Sequence, residues 1–455
     1  MLSHELNNRY KQDVLRNPQG YLQSYREVFE KVQKSPAKYK GKPVEFLYQP
    51  MFFSMEDVER IESLTSTLWG IMKKVINEYL KNRDFRKAFG FSPFLEELIL
   101  TDPGYSNPVP MARYDVFYHG DGSFQFCELN ADGSSGMVES RELEEIIYHS
   151  LAMEKYKKEY EFQRFELFQS WTKALLENYY EFSGSRSTKP QVAIVDWIDG
   201  KPPSEFVEFK KEFENAGIET VIADPRELTF DGENLYYKDF RIDCIYRRVV
   251  TWELEERKEE IQDFLDAYRK GKICMVGPIR SQIIHNKVVF SILHDEELTP
   301  FLTKKERNFV ADHIPFTATL DLKNPNLLEM AQRDKDQYVL KPLDKYACLG
   351  VSVGKDYLAD QWRELVDEKL ESDYLIQEYC DVPSMDMAIY SLDRNSISFT
   401  ACNYITGLFM YNGKFQGIYH RAGRENVIGS VVESFTLPNY LVKGEKEWQV
   451  NLETP

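Results

Sequence analysis

The chain has 455 residues, of which 42% are hydrophobic and 29% are charged. That composition is typical of a globular protein with enough apolar material for several cores, and it excludes low-complexity disorder and collagen-like repetition. The 57 Lys and Arg residues against 74 Asp and Glu residues give a formal charge of −17. No basic stripe with interleaved aromatic residues stands out, so nucleic acid is not expected as a partner.

Two further absences narrow the class of protein. The N-terminal sequence has no apolar signal core, and no segment approaches the ~20 apolar residues needed to span a bilayer. The six cysteines form no CxxC pair and the seven histidines form no HExxH motif. Scattered cysteines in a long chain indicate free thiols of a reducing compartment, and a zinc enzyme has little support. We therefore expect a cytoplasmic protein that does not contact membranes.

The N-terminal part of the chain contains clear periodic segments. Residues 54–80 carry apolar side chains at helical spacing, which predicts a long amphipathic helix. Residues 111–130 change to a period of two around Gly120-Asp121-Gly122, which predicts a β-hairpin. One or two long amphipathic helices are expected over residues 138–180.

A polar linker at residues 183–190 separates this part from a segment that predicts a βαβ unit and hence a parallel sheet. The strands are expected at 191–198 and 218–222, with a helix at 204–216 between them. The turn after the first strand lacks a GxGxxG motif, which favours an α/β module without a nucleotide. Further strands at 235–237 and 242–250 and a charged helix at 254–268 are expected.

The hairpin carries the most informative pattern. If residues 121–122 form a two-residue type I′ turn, Asp115 lies opposite Glu128, and Arg113 lies opposite Asn130, all on one face. Two carboxylates directly opposite each other destabilise a plain sheet. A divalent cation between them removes this cost, because Mg²⁺ prefers hard oxygen ligands. A solvated hairpin whose charges keep it soluble, with or without a register shift of one residue, is the alternative.

Residues 131–136, Ala-Asp-Gly-Ser-Ser-Gly, precede the predicted helix. Small residues with free N–H groups before a helix N-terminus can bind an anion, and Ser134 and Ser135 can add hydroxyl donors. An ordinary loop with a serine cap is the alternative.

Three further segments are suited to a nucleotide. Lys341 ends a strand and precedes a loop with two glycines and a short strand at 351–353, an arrangement that can bind phosphate, although no Walker A motif occurs in the chain. Lys287 begins an apolar helix, where a cation is unfavourable unless an anion is present. The apolar strand at 374–379 ends in residues suited to an adenine edge and a ribose. Solvated lysines are the alternative in the first two segments.

A second hairpin is expected around Asn412-Gly413, and it leads to Arg421 and Arg424. Two arginines in a glycine-containing loop beside a strand suit a carboxylate or a phosphate. Surface arginines are the alternative.

Taken in order, these segments resemble the ATP-grasp ligases with permuted strand order, the group that includes eukaryotic-type glutathione synthetase and glutathionylspermidine synthase. The resemblance is closest to the synthetase region of the latter and extends over roughly residues 110–430. Its Lys-Pro pair corresponds to Lys341-Pro342 and its hinge strand to residues 376–378. Its RxD…ExNxD pattern with following serines corresponds to Arg113, Asp115, Glu128, Asn130, Asp132, Ser134 and Ser135.

The resemblance implies a mixed α+β and α/β chain, with a permuted ATP-grasp fold and an inserted parallel α/β module like a pre-ATP-grasp domain. Residues 1–186 would form the N-terminal helical region and the first part of the core, with the metal-site hairpin. Residues 187–275 would form the inserted substrate module, and residues 276–455 the second part of the core with a nucleotide-binding lid. The cysteine amidase domain of bifunctional relatives has no matching region in this chain.

The resemblance also implies an ATP-dependent, ADP-forming carboxylate–amine or carboxylate–thiol ligase that acts through an acyl phosphate. Its substrates would be a small-molecule acid and an amine, such as a peptide, an amino acid or a polyamine. The alternatives are an ATP-grasp phosphotransferase and a catalytically silent Mg·ATP-binding protein.

Residue roles follow from the same resemblance. Asp115, Glu128 and Asn130 would hold Mg²⁺. Arg113 would face the transferring phosphate or the acyl carboxylate. Independently of the resemblance, Arg421 is expected to anchor the acid substrate, because a bidentate guanidinium suits a carboxylate and its loop lies near the end of the presumed catalytic sheet. The implied contacts of ATP are Lys287 and Lys341 at the phosphates, Gln377, Glu378 and Tyr379 around adenine and ribose, and Ser134 and Ser135.

Two arginines of the inserted module are expected to act on the substrate. Arg247 and Arg248 end a predicted strand in the part of the chain where the resembling ligases build their acceptor pocket. Either arginine could contact a peptide carboxylate, because a bidentate guanidinium suits that group. Surface arginines paired with neighbouring acids are the alternative.

Two departures from the family pattern stand out. Glutathione synthetase has a metal-assisting glutamate soon after Lys-Pro, whereas this chain has Asp344-Lys345. The following loop, with Tyr346-Ala-Cys-Leu before Gly350, is poor in glycine. The first departure leaves the number of metal ions open, and the second leaves the closure of the lid open.

Overall fold

The computed structural model describes residues 2–320, 325–344, 348–370, 372–429 and 433–446. Lys345, Tyr346 and Ala347, which belong to the glycine-poor loop, lie outside the described residues. Within the described ranges no helix is long and apolar enough to cross a membrane. All six cysteines are described and free, and four of them are buried.

The predicted helix at 54–80 is confirmed as Met55–Lys81, and it begins at a capping box in which Ser54 and Asp57 exchange hydrogen bonds. The described α-helices are α1 Leu2–Arg16, α2 Pro18–Lys34, α3 Met55–Lys81, α4 Arg83–Arg86, α5 Pro93–Leu100, α6 Met137–Tyr148, α7 Leu151–Glu159, α8 Gln169–Ser183, α9 Ser204–Asn215, α10 Thr251–Glu256, α11 Gln262–Arg269, α12 Gln282–His285, α13 Val288–His294, α14 Lys304–His313, α15 Pro325–Arg333 and α16 Ala359–Lys369.

The strands form several separate sheets. In chain order the described strands are β1 Lys38–Tyr39, β2 Lys42–Pro43, β3 Met51–Ser54, β4 Met111–Tyr118, β5 Phe124–Asn130, β6 Tyr160–Gln163, β7 Val192–Val195, β8 Thr220–Ala223, β9 Leu228–Phe230, β10 Leu235–Tyr237, β11 Phe240–Ile242, β12 Cys244–Arg247, β13 Cys274–Val276, β14 Thr317–Thr319, β15 Tyr338–Pro342, β16 Ser352–Val353, β17 Tyr374–Glu378, β18 Ser384–Ser391, β19 Ser396–Tyr411, β20 Lys414–Gly423, β21 Phe435–Leu437 and β22 Asn439–Glu445.

The largest sheet has the order β21-β20-β19-β4-β5, with β18 also paired to β19. The second predicted hairpin is therefore confirmed as β19–β20, and its turn residues Asn412 and Gly413 have φ of 48° and 75°, as a type I′ turn requires. Val116 and Phe126 of the first hairpin pack with Ile61 of α3 in the main apolar core. An irregularity in the pairing after Phe126 shifts β5 by one residue, so Glu128 and Asn130 lie on the opposite face together with Arg113 and Asp115.

The predicted βαβ unit is confirmed. The strands β7 and β8 are parallel and flank α9 in the chain, and the complete sheet has the order β13-β12-β7-β8. All of these strands lie between residues 192 and 276, close to the predicted module at 187–275, although the division into three domains stays a prediction.

Two predicted elements of the module are each divided. The strand expected at 242–250 is two strands, since β11 joins a small antiparallel sheet and β12 joins the parallel one. The charged helix expected at 254–268 is split into α10 and α11.

The region expected as one or two helices, 138–180, forms α6, α7 and α8 with the strand β6 between the last two. The strand β6 pairs with β22 from the C-terminal end of the described chain. Pairing with a strand so distant in sequence leaves no periodic signal within the segment itself. Together the sheets and helices make a mixed α/β protein.

Candidate functional site

The pairing of the hairpin β4–β5 matches the predicted facing residues, although the turn differs. Asp115 pairs with Glu128 and Arg113 pairs with Asn130. Five residues, 119–123, separate the paired Tyr118 and Phe124, and a backbone hydrogen bond from His119 to Ser123 leaves three residues at the tip rather than two, with Gly122 at φ of 85°. An irregularity next to Asp115 in the pairing absorbs the extra residue and restores the predicted register. The alternative of a lasting one-residue shift is therefore wrong.

Asp115 is completely buried and lies between two arginines. Arg113 donates from Nε to Oδ1 at 2.7 Å and from Nη2 to Oδ2 at 3.0 Å. Arg421 donates from Nη2 to Oδ2 at 2.6 Å. Arg421 lies within β20 rather than in the loop where we expected it, and β19 separates β20 from β4. The carboxylate thus links β4 to β20 across the intervening β19 through charge-assisted hydrogen bonds.

Glu128 faces the other cations of the site. Its Oε2 lies 3.5 Å from Nζ of Lys287, and its Oε1 accepts a hydrogen bond of 3.1 Å from Nδ2 of Asn130. Burial alone would raise the pKa of Glu128, but the charges of Lys287 and Lys341 and the bond from Asn130 outweigh it and lower the pKa to about 2. Glu128 is therefore ionised at neutral pH.

Lys341 extends from β15 towards the hairpin, and its Nζ donates to the carbonyl oxygen of Cys127 at 3.3 Å. Burial lowers the pKa of Lys341, but its interactions with Cys127 and Glu128 outweigh that effect and raise it. The ammonium is therefore charged, and it can compensate an anion placed between the hairpin and β15.

Lys287, Lys341, Glu128 and Gln377 line one cavity, which lies between the hairpin, α12–α13 and the sheet β14-β17-β15-β16. The cavity has a volume of about 10 Å³, enough for about one water molecule. A nucleotide is much larger, so its binding here requires these side chains and the strands that carry them to move apart.

The residues predicted around adenine and ribose lie at one end of β17. Gln377 is buried, and its Nε2 donates to Thr317 Oγ1 at 2.9 Å. Glu378 is exposed and accepts a hydrogen bond from the backbone N–H of Phe316. The ring of Tyr379 lies 3.8 Å beneath Nζ of Lys355. Gln377 thus shares the cavity with the two lysines, while Glu378 and Tyr379 continue the chain beyond it.

The loop at 131–136 is not the open anion cradle that we expected. Glu205 of α9 reaches the N-terminus of α6, and its Oε2 accepts hydrogen bonds from the backbone N–H groups of Gly136 and Met137 at 3.0 and 2.9 Å. A protein carboxylate thus occupies the anion-binding end of this helix. The hydroxyl of Ser134 donates to the Asn130 carbonyl, and the Ser135 carbonyl accepts a bond from Arg113. Contact of either serine with ATP stays a prediction.

Arg247 and Arg248 are buried, and each is already paired with a carboxylate of this chain. Arg247 donates to Oδ1 of Asp132 at 2.6 Å, and both side chains are 1% exposed. Arg248 donates to Oε1 of Glu205 at 3.2 Å and to the carbonyls of residues 133 and 134. The expected contact with a substrate carboxylate is therefore replaced by internal ion pairs. The alternative of surface arginines paired with acids was therefore right about the ion pairs and wrong about their location, because both pairs are buried.

Several residues that shape the site had no recognisable signal in the sequence. Gly407 of β19 pairs with Asp115, and a Cβ there would lie 2.8 Å from Cδ of Arg113. The ring of Tyr419 lies 5.4 Å from the guanidinium of Arg113 and 5.5 Å from that of Arg421, within cation–π distance. Only the pairing of β19 with both neighbouring strands brings these residues together, so no local pattern could have indicated them.

The hairpin can supply some of the ligands that a Mg²⁺ ion requires. Among the described residues no three His, Cys, Asp or Glu side chains are arranged around a common metal position. Asp115 and Glu128 nevertheless offer carboxylate oxygens, and the Asn130 amide lies 3.1 Å from each of them. Mg²⁺ is commonly held by one or two carboxylates, with phosphates and water supplying its other ligands. The amide of Asn130 would turn its oxygen towards such an ion.

Comparison with known proteins agrees with the resemblance drawn from the hairpin and the Lys-Pro pair. A family model described as glutathionylspermidine synthase preATP-grasp matches residues 43–436. A glutathione synthetase-like effector from Globodera pallida, solved in its apo form, aligns with a TM-score of 0.58 and 11% identity over 94% of this chain and 98% of that one. D-alanyl-alanine synthetase A from Vibrio cholerae aligns with a TM-score of 0.28 and 7% identity over 55% of this chain and 88% of that one. No curated protein matches the sequence.

Proposed function

Since the chain belongs to the glutathionylspermidine synthase preATP-grasp family, we propose that it is an ATP-dependent, ADP-forming carboxylate–amine ligase with a permuted ATP-grasp core. In the proposed reaction a substrate carboxylate oxygen attacks the γ-phosphorus of ATP, and ADP leaves. An amine then attacks the acyl carbon of the acyl phosphate. Phosphate leaves with the electrons of the single bond between the acyl carbon and the phosphate oxygen, and the amine loses a proton to give an amide.

One observation carries the proposal. The ionised Glu128 carboxylate lies in the same cavity as the ammonium groups of Lys287 and Lys341, beside a second carboxylate, Asp115, that two arginines hold. A cation-lined space that also presents hard oxygen ligands suits a nucleotide phosphate chain bound with a divalent ion. The description of the matched family as a glutathionylspermidine synthase preATP-grasp family supports the same interpretation.

Each residue has a role in this proposal that its position supports. Lys287 and Lys341 bind the phosphate oxygens as point charges. Arg113 stabilises the negative charge that develops on the transferring phosphoryl group, and Arg421 orients the substrate carboxylate. Asp115, Glu128 and Asn130 would hold Mg²⁺, which neutralises charge on the β- and γ-phosphate oxygens when bound.

The test is ADP release from Mg·ATP in the presence of amino acids or short peptides as acids and polyamines as amines. A ligase releases ADP only when an acid is present, and an amine accelerates turnover and appears in the product. Accumulation of a phosphorylated acid without acceleration by any amine would replace the proposal with a phosphotransferase. Saturable Mg·ATP binding by calorimetry without turnover would indicate a silent binding protein.

Replacing Arg421 by lysine is expected to lower kcat for ADP release about 10²-fold, or to raise KM for the acid, with ATP affinity nearly unchanged. A lysine keeps the charge but cannot reproduce the forked geometry that reaches Asp115 and a substrate carboxylate together. Steady-state kinetics and calorimetry measure the two effects.

Arg424→Lys is the matched control, because Arg424 is exposed and paired with Glu433, away from Asp115. It should leave both values unchanged. A loss of ATP affinity in Arg421→Lys would assign Arg421 to the triphosphate, and kinetics identical to those of Arg424→Lys would remove it from the site.

A further inference from the structure

His285 has a structural role that the sequence did not indicate. It is buried at the end of α12, two residues before Lys287, and its Nδ1 accepts a hydrogen bond of 3.3 Å from the backbone N–H of Ala131. Ala131 directly follows Asn130 of the hairpin. Since Nδ1 must offer its lone pair to this N–H, the ring proton lies on Nε2.

The protonated Nε2 faces Asp344, the residue that stands where the family pattern led us to expect a metal-assisting glutamate. The Nε2–Oδ1 distance is 3.5 Å. The other carboxylate oxygen of Asp344 accepts a hydrogen bond from Nε2 of Gln282, one turn before His285 on α12. Both carboxylate oxygens of Asp344 therefore face α12, so Asp344 connects the segment that follows β15 with this helix.

The imidazole ring thus joins three segments, and each segment carries a residue of the proposed nucleotide site. Ala131 is next to Asn130, His285 is two residues from Lys287, and Asp344 is three residues from Lys341. A second contact connects two of these segments, since the backbone N–H of Lys287 donates a hydrogen bond of 3.1 Å to the Leu343 carbonyl. An imidazole is rigid, so contacts on its two nitrogens fix the spacing of the groups that they bind.

We propose that His285 and Asp344 are positioning residues that hold the phosphate-binding lysines in register with the metal-binding hairpin. This inference rests on the proposed function, because it takes Lys287 and Lys341 as phosphate contacts and the hairpin as the Mg²⁺ site. The cavity must widen to admit a nucleotide, and the His285 link holds the three segments together at residues 131, 285 and 344 while the parts that line the cavity move apart. Its consequence is energetic coupling between the binding of Mg²⁺ and the binding of the nucleotide.

Three variants of the full chain divide the link into its parts. His285→Asn places an amide oxygen near the position of Nδ1 and keeps the acceptor for Ala131 while losing the contact with Asp344. His285→Gln places an amide nitrogen near the position of Nε2 and keeps the donor to Asp344 while losing the acceptor. Asp344→Asn removes the charge at a partly exposed position. His149→Gln is the control, since His149 and Glu145 form an exposed pair at 3.3 Å.

The measurement is the dissociation constant of ADP by calorimetry, with Mg²⁺ and with EDTA, together with the Tm of each variant. Coupling between two binding events is commonly worth 5–150-fold. Mg²⁺ should increase the affinity for ADP in wild type, and we expect this increase to be about tenfold smaller in each of the three variants. The affinity for ADP in EDTA should stay within about twofold of wild type. The control should retain the full gain.

Two results would overturn the inference while leaving the proposed function intact. The first is a wild-type Mg²⁺ gain in all three variants. The second is an equal loss of ADP affinity with and without Mg²⁺, accompanied by a lower Tm, since this indicates a structural role only. If wild-type protein binds no ADP, or binds it equally with and without Mg²⁺, the nucleotide and metal site fails and the inference falls with it.

Discussion

Glu128→Gln is expected to lower ADP formation by about 10²–10³-fold, the usual effect of removing one group that stabilises transition-state charge. Lys287 and Lys341 keep this carboxylate ionised, so it supplies a full negative charge to a metal ion at neutral pH. Glutamine has the same shape and keeps an acceptor for Asn130, which isolates the charge as the property that is lost. Initial rates of ADP release at saturating Mg·ATP and acid measure the effect.

Asp121→Asn is the matched control for this experiment. Asp121 lies exposed at the tip of the same hairpin, where it accepts a hydrogen bond from the backbone of Ser123. The same chemical change there should leave the rate unaltered. Near-normal ADP release by a folded Glu128→Gln protein would remove Glu128 from the metal site.

Asp132→Asn is expected to reduce the free energy of unfolding by about 3–5 kcal/mol, the usual cost of breaking a buried ion pair from one side. Asp132 accepts hydrogen bonds of 2.6 Å from both Arg247 and the backbone N–H of Thr251. The substitution leaves the Arg247 guanidinium buried without a counter-charge. Urea denaturation measures the difference.

Asp199→Asn provides the comparison at the surface. Asp199 is 87% exposed and lies 3.4 Å from Arg226, and such pairs contribute little to stability. Its unfolding midpoint should stay close to that of wild type. Equal midpoints for the two variants would mean that Arg247 does not depend on Asp132. Loss of ADP release with unchanged stability in Asp132→Asn would instead assign Asp132 a role in the chemical site.

The sequence was most reliable where a structural feature depends on neighbouring residues. The helical spacing of apolar residues over 54–80 predicted α3 almost to the residue, and the Asn412-Gly413 pair predicted the turn of β19–β20. The facing pair Asp115 and Glu128 was predicted correctly from a turn that has the wrong length. The irregularity next to Asp115 in the pairing compensates the longer loop, so Glu128 returns to the face of Asp115 and Leu129 to the core beside Tyr114, which strict alternation after Phe126 would not allow.

The expectations about binding partners that failed concern residues distant in the chain. Residues 131–136 have the composition of an anion site, but whether that site is open depends on Glu205, which arrives from α9. Arg247 and Arg248 suit a carboxylate, and the carboxylates that they bind belong to Asp132 and Glu205. Residue type indicated the chemistry correctly, while the identity of the partner followed from how the inserted module packs on the hairpin.

The sequence by itself determined the chemical character of the site, because residues 113, 115, 128 and 130 of one hairpin bring an arginine, two carboxylates and an amide to paired positions. Only the tertiary structure decided what those side chains bind. Arg421 reaches Asp115 because β19 lies between β20 and β4, and His285 reaches Ala131 and Asp344 because α12 packs between two sheets. Contacts of this kind depend on the order of strands and the packing of layers, which the spacing of residues along one segment does not encode.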